Sequence, residues 1–322
     1  MASTLHVTTA EYAVPASVRQ VRDRTAGLTV TDLLLLLMAF IWGANYIVAK
    51  YGTQVFAPLA FNSVRIALAT VVLWTIVLVR RSAMPSRADA LALFALGLLG
   101  NGLYQIFFVE GLARARASDT ALVLAASPAF MAIIGRVRGV DQIGWRGAAG
   151  IALSLAGIGL VVSGKPSTPG TSSTLGYTLT IAACLCWALY TVLLKPYTER
   201  IDGITLAAVT MSGGLLPMLI VGAPSILATR WASAGPMAWA AVVYSGVLAL
   251  VVAYFCWYRG VRVLGPTRAS MYANLQPLFA MAIAWAVLGE APHLMQGAGA
   301  LCIMIGLLMT RAPAMTPARV RA

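Results

Sequence analysis

Trp42-Gly43-Ala44-Asn45-Tyr46-Ile47-Val48-Ala49-Lys50 is followed 145 residues later by Trp187-Ala188-Leu189-Tyr190-Thr191-Val192-Leu193-Leu194-Lys195. The Trp and the Lys that bracket the first stretch return at the same spacing in the second, each time in an apolar run. Downstream, Gly111, Pro128, Phe130, Gly150 and Gly157 recur as Gly260, Pro277, Phe279, Gly299 and Gly306, at a constant offset of 149. Asp141 falls opposite Glu290 in that register. A register held over about 45 residues marks an internal duplication, which has to be recognised before any local motif is read.

Composition states what is duplicated. Of 322 residues, 60% are hydrophobic and 10% charged, and the mean hydropathy is +0.84. A soluble domain carries roughly 25% charged residues. So few charges cannot cover a soluble surface, which excludes soluble globular, disordered and coiled-coil chains and leaves an all-α polytopic membrane protein. A membrane helix needs about 20 mostly apolar residues. Ten such stretches follow one another: Leu33–Val48, Pro58–Val79, Ala90–Val109, Thr120–Gly135 and Gly147–Val162, then Leu175–Leu194, Ile204–Val221, Met237–Tyr258, Pro266–Leu288 and His293–Thr310. Between the two groups of five lies a Gly, Pro, Ser and Thr-rich linker beginning Ser163-Gly164-Lys165-Pro166, a composition typical of loops. The expected organisation is a tail at 1–30, a first repeat at 31–163, an external linker at 164–174, a second repeat at 175–311 and a tail at 312–322.

The net charge of +13 would suggest nucleic acid in a soluble protein. Here it suggests basic loops held on one side of a bilayer. With the N-terminus inside, the two tails and the loops after spans two, four, six and eight hold 17 of the 23 basic residues, and the external segments hold five. Both termini are therefore expected in the cytoplasm, with the chain crossing a plasma membrane of bacterial inner-membrane type. The polar N-terminal segment lacks the apolar core and cleavage site of a signal peptide. Five spans per copy is an odd number, so the second copy enters the membrane upside down relative to the first. Inverted repeats of this kind characterise alternating-access transporters, with the pathway between the halves.

The residues also carry a family resemblance. The first copy opens with Ile41-Trp42-Gly43-Ala44-Asn45-Tyr46, Lys50, Pro58 and Arg65. The second contains Ala253-Tyr254-Phe255-Cys256-Trp257-Tyr258-Arg259-Gly260, then Leu264-Gly265-Pro266-Thr267-Arg268-Ala269-Ser270, Gln276-Pro277-Leu278-Phe279, Leu288-Gly289-Glu290 and Gly299. This pattern resembles the EamA branch of the drug/metabolite transporter superfamily over nearly all of residues 31–311. The resemblance implies ten transmembrane helices as two inverted five-helix repeats and a central cavity. It implies export or exchange of small metabolites such as amino acids, with efflux of toxic compounds or drugs as the alternative. The first copy departs from the pattern in two ways. Asp141 stands where the family favours Glu, and Gly135-Arg136-Val137-Arg138 puts two arginines where the second copy has Trp285 and Val287.

Candidate substrate-contacting residues are the polar and aromatic side chains inside spans: Trp42, Asn45, Tyr46, Tyr104, Gln105, Trp187, Tyr190, Tyr254, Asn274, Gln276 and Trp285. An amide in hydrocarbon lacks water and seeks either a wet cavity or another helix. Both roles apply to Asn45, Tyr46, Gln105, Tyr190 and Asn274, and packing or interface anchoring competes for the tryptophans. Arg65 is a charge inside a span. It can face the cavity and attract a carboxylate, or serve structurally near the outer interface with its head drawn toward water. Pro128 and Pro277 occupy equivalent mid-span positions and are expected to kink or hinge helices four and nine. The remaining acids, including Glu290, fall at span ends, and the resemblance, in which Glu290 matches the family's glutamate, implies that it holds a loop or helix end. No carboxylate sits in mid-span, so proton coupling is not assigned.

A channel or an intramembrane enzyme is the distant alternative to a carrier, and enzymatic chemistry is not expected. The two histidines, His6 and His293, lie in a tail and at a helix start, no pair of aspartates sits in mid-span, and no Cys/His cluster matches a zinc site. Neither a cofactor nor a metal is called for. The expected partners are the lipid bilayer and a small-molecule substrate, with no nucleic acid. A monomer is compatible with the sequence, which leaves the oligomeric state open.

Overall fold

A computed structural model describes residues 29–137, 144–163, 173–264 and 272–311. These residues are helical almost throughout, with no strand among them. In chain order the helices are α1 (Val30–Val55), α2 (Pro58–Val79), α3 (Arg87–Arg114), α4 (Ala117–Val137), α5 (Trp145–Ser163), α6 (Thr174–Thr198), α7 (Gly203–Ala228), α8 (Pro236–Val243 continuing through Leu264), α9 (Gln276–Leu288) and α10 (Leu294–Arg311). Eight of them are long and apolar enough to cross a membrane unaided, and the apolar helices Gln276–Leu288 and Leu294–Gly306 are shorter. The fold is an all-α polytopic membrane protein. The first residues of the expected ninth span, together with Arg138, Asp141 and most of the 164–174 linker, lie outside the described residues.

Local sequence sets the helix ends. Thr29 and Asp32 form a reciprocal capping box that starts α1. Ser86, Ser173 and Asp202 accept backbone N–H bonds at the starts of α3, α6 and α7. Gly289, at φ 66°, ends α9 in the left-handed conformation that glycine adopts without strain. Apolar side chains such as Val71, Leu78, Leu91, Ile220 and Leu301 point outward, as in a bundle bathed in lipid.

Several helix pairs approach closely enough to require glycine, among them α5–α10 and α3–α7. In α5 and α10, Cβ atoms on Gly157 and Gly299 would each lie 2.7 Å from the other's carbonyl oxygen, and one on Gly306 would lie 2.4 Å from that of Gly150. In α3 and α7, a Cβ on Gly97 would meet the Thr210 carbonyl at 2.0 Å, and one on Gly213 would meet that of Phe94 at 2.1 Å. With hydrocarbon outside as well as inside, packing of small residues drives such contacts.

The proline expectation is refined. Helix α4 is broken at Ala126, between Ala117–Ala125 and Ser127–Val137, and Pro128 sits in the first turn of the second piece. Pro277 sits in the first turn of α9, directly after a turn at Asn274 and Leu275. Position 126 maps to 275 at the 149 offset, so the two breaks are equivalent. In a first turn the missing proline N–H has no intrahelical partner to lose. These prolines therefore begin helical segments and do not bend continuous ones.

A second paired irregularity has no signature in the amino-acid sequence. Leu98–Leu103 in α3 and Tyr244–Val252 in α8 are π-helical. The first maps by the same offset onto 247–252. Such wider turns are rare and concentrate at functional sites.

Candidate functional site

The two π-helical segments frame the centre of the bundle, where most of the aromatic candidates converge. Trp187 of α6 packs against Tyr104 of α3 at 5.2 Å between ring centroids, against Tyr190 at 5.5 Å and against Tyr254 of α8 at 6.3 Å. Its repeat mate Trp42, on α1, meets Tyr254 edge-on at 5.8 Å. The wall continues from Tyr104 to Phe108, stacked at 5.8 Å, and from Phe108 to Tyr46 of α1 at 5.9 Å. Both repeats contribute, and each sends its first helix to the π-helical segment of the other. Trp42 donates its indole N–H to the Ala249 carbonyl at 2.9 Å. The Tyr190 ring covers Gly100, where a Cβ would come within 2.2 Å. Gly100 and Ala249 are 149 apart.

Arg65 lies against this wall. It is 1% exposed, and its guanidinium stands over the rings of Phe61 and Phe108, 5.8 and 5.6 Å from their centroids. Nε donates to Asn62 Oδ1 and Nη2 to Gln105 Oε1, both at 2.5 Å. Asn62 in turn donates to the Gln105 carbonyl at 2.9 Å. The Arg65 head is thus held between helices by two amides. Its Nη1 is buried without a hydrogen-bond partner, as is Asn45 Oδ1 on α1. Asn101, in the π-helical segment of α3, accepts from the Tyr254 hydroxyl at 3.4 Å. A buried polar atom without a protein partner is costly unless another polar group satisfies it, and each marks a place that a polar group of a substrate could meet.

Trp42, Asn45, Tyr46, Tyr104, Gln105, Trp187, Tyr190, Tyr254 and Arg65 therefore all lie on the helices that meet at the centre. Of the other candidates, Trp285 does not join them. Trp285 faces outward on α9 and is 63% exposed. Asn274 is buried at the break before α9. Gln276 packs its backbone on α1, since a Cβ on Gly43 would lie 2.9 Å from the Gln276 carbonyl. Asn62, Asn101 and Phe108 were missed. The first two carry the signal that selected Asn45, an amide inside an apolar run.

Glu290 serves the end of the bundle where α3 turns into α4. Gly289 turns the chain so that the Glu290 carboxylate accepts from the backbone N–H groups of Ala117 and Ser118, each at 3.2 Å, and from the Ser118 hydroxyl at 2.7 Å. A residue of the second repeat thus caps the amino end of a first-repeat helix, where a negative charge is favoured. Arg116 reinforces the joint by donating to the Ala291 carbonyl at 2.9 Å. Lys50 donates to the carbonyls of Leu112, Ala113 and Ala115 at 2.7–3.0 Å, satisfying the last turn of α3. Asp119 accepts from Tyr177 at 2.7 Å and from Gln296 at 2.9 Å, tying α4 to α6 and α10. On the other face a cleft of about 180 Å³ opens between α2, α7 and α8, with Tyr254 and Tyr258 in its wall.

Comparison with known proteins agrees with this architecture. The profile of the EamA-like transporter family matches residues 29–163 and 174–312. A protein of Archaeoglobus fulgidus named "Uncharacterized transporter" is 31% identical over 287 residues, covering 88% of this chain and 97% of that one. A protein of Streptantibioticus cattleyicolor named "Probable terminal-alkyne amino-acid exporter" is 27% identical over 297 residues, covering 88% of this chain and 97% of its own. A solved structure titled "Crystal structure of protein" superposes with a TM-score of 0.60 at 18% identity, over 87% of this chain and 96% of that one.

Proposed function

The chain belongs to the EamA-like transporter family, and from that premise we propose that it exports small metabolites such as amino acids by alternating access, using the aromatic centre between the two repeats as its substrate site. The observation that carries the proposal is the reciprocal docking of Trp42 on Ala249 and of Tyr190 on Gly100. Equivalent helices of two inverted repeats close on equivalent π-helical segments of each other, around side chains that are apolar on their faces and polar at their tips. Small-molecule sites generally combine apolar walls with a few fixed polar groups. Exchange of such contacts between two symmetric arrangements is what a carrier built from inverted repeats requires.

Breaks at positions 126 and 275, each two residues before a proline, supply joints within α4 and just before α9. The Lys50 and Glu290 contacts hold one end of the bundle shut, and they must loosen when the opposite end closes. The family relative named as an amino-acid exporter supports the substrate class. The distribution of basic residues supports a plasma membrane with both termini in the cytoplasm.

The test is the composition of the growth medium. Strains lacking and overexpressing the gene, fed to overproduce amino acids and related metabolites, are compared by mass spectrometry. The proposal expects a restricted set of metabolites to accumulate outside in proportion to expression. Identical media would refute it.

A further inference from the structure

We propose that Arg65 anchors the anionic end of the transported molecule, so that the central site takes organic monocarboxylates bearing an apolar or aromatic group. The assignment rests on the reading of the aromatic centre as the substrate site and names the class of molecule that site selects.

The argument begins with charge. Among the described residues the ion pairs join Arg114 to Glu110, Arg116 to Glu290, Arg200 to Asp89 and Arg262 to Asp202, and none includes Arg65. Its two formed bonds go to the neutral amides of Asn62 and Gln105. A buried cation with no counter-charge is strongly disfavoured unless something supplies one. A purely structural tie between α2 and α3 needs only the donors already used, and a neutral side chain could provide it. What remains is Nη1, buried and unpartnered, on a planar fork suited to a carboxylate.

The surroundings define the rest of the ligand. Phe61 and Phe108 hold the guanidinium, and Phe108 leads directly to the rings of Tyr46 and Tyr104. A molecule with its carboxylate on Arg65 would lay its body along this wall. Tyr254, which meets Trp42 and Trp187 in the aromatic wall, also lines the cleft between α2, α7 and α8. Arg65 brings one positive charge to this wall, which matches one negative charge, and Lys50 lies apart from it at the end of α3. A dianionic phosphate would keep an excess charge in the low-dielectric centre, and a cationic drug would meet repulsion there.

The test uses the full-length protein in lipid nanodiscs and reads thermal protection and tryptophan fluorescence. The probes are 3-phenylpropionate and 4-methylvalerate, each compared with its own amide, and 3-phenylpropylamine as the cation. The expected result is half-saturation at a concentration about tenfold lower for each acid than for its amide, as one charge-assisted hydrogen bond provides, and no protection by the amine. Arg65→Gln should bring acid and amide together, and Arg65→Lys should keep part of the preference. The wild-type comparison stands alone if Arg65→Gln does not fold. Equal binding of acids and amides, no binding of either acid, or a preference that survives in folded Arg65→Gln would overturn the assignment. Export confined to solutes that carry no carboxylate would also overturn it while leaving transport intact. Carboxylate binding through Arg65 without any export would uphold it and refute transport instead.

Discussion

The indole of Trp42 in α1 donates to the carbonyl of Ala249 in α8 across 2.9 Å, joining the first repeat to the π-helical segment of the second. Trp42→Phe keeps an aromatic face toward Tyr254 and Trp257 but removes the donor. The expected loss is about 1 kcal/mol of stability, the usual net worth of one such bond, together with slower transport at unchanged abundance. Thermal unfolding of the purified protein and export per molecule measure the two effects.

Glu290 reaches from the α9–α10 turn to the first residues of α4. Glu290→Ala leaves two backbone N–H groups and the Ser118 hydroxyl without their acceptor. A cost of about 1–3 kcal/mol follows, seen as a lowered unfolding temperature. Glu290→Gln, which keeps one acceptor oxygen and turns the other position into an N–H donor, should lie between the wild type and Ala.

Gly213 and Gly97 bring α7 and α3 into backbone contact. A methyl group on Gly213 would stand 2.1 Å from the Phe94 carbonyl, whereas one on Gly159 meets nothing within 4 Å. Gly213→Ala should destabilise by about 1–3 kcal/mol or more, because backbone must move. Gly159→Ala should be neutral or stabilising by up to about 1 kcal/mol through helix propensity. Membrane abundance of the two variants, compared side by side, checks the contrast.

Asn45 and Tyr190 occupy equivalent positions of the two repeats, and both are buried. Asn45→Ala and Tyr190→Phe remove polar tips while leaving most of the packing, and each should reduce transport about tenfold or more at normal abundance, in line with loss of a buried hydrogen bond to substrate. Trp285→Ala, on the outward face, should transport like the wild type. A large loss in Trp285→Ala with no loss in the other two would move the site elsewhere.

Much of this architecture was legible because membrane helices announce themselves by length and hydropathy. The duplicated Trp and Lys, and the 149-residue register from Gly111 to Gly157, exposed the repeat. The aromatic centre was largely legible for a related reason, since polar and aromatic tips inside hydrocarbon stand out one by one. Burial geometry was not. Trp285 met the same compositional criterion as Trp187, and only packing shows that one faces out and the other in. Arg65 could have turned either way, and the deciding partners, Asn62 and Gln105, lie on two helices. The π-helical segments left no mark because no residue type demands them. Glu290 could be placed at a helix end, but its partner at Ser118 is 172 residues away.

The most direct test of a carrier with a central site shared by two repeats is counterflow in proteoliposomes. Vesicles are loaded with an unlabelled metabolite whose export rises on overexpression and then diluted into a trace of the labelled compound. The account predicts saturable uptake of label that depends on the internal metabolite and is largely lost in Asn45→Ala reconstituted at equal density. Uptake that rises linearly with concentration, ignores the internal metabolite and is unchanged in Asn45→Ala would contradict it.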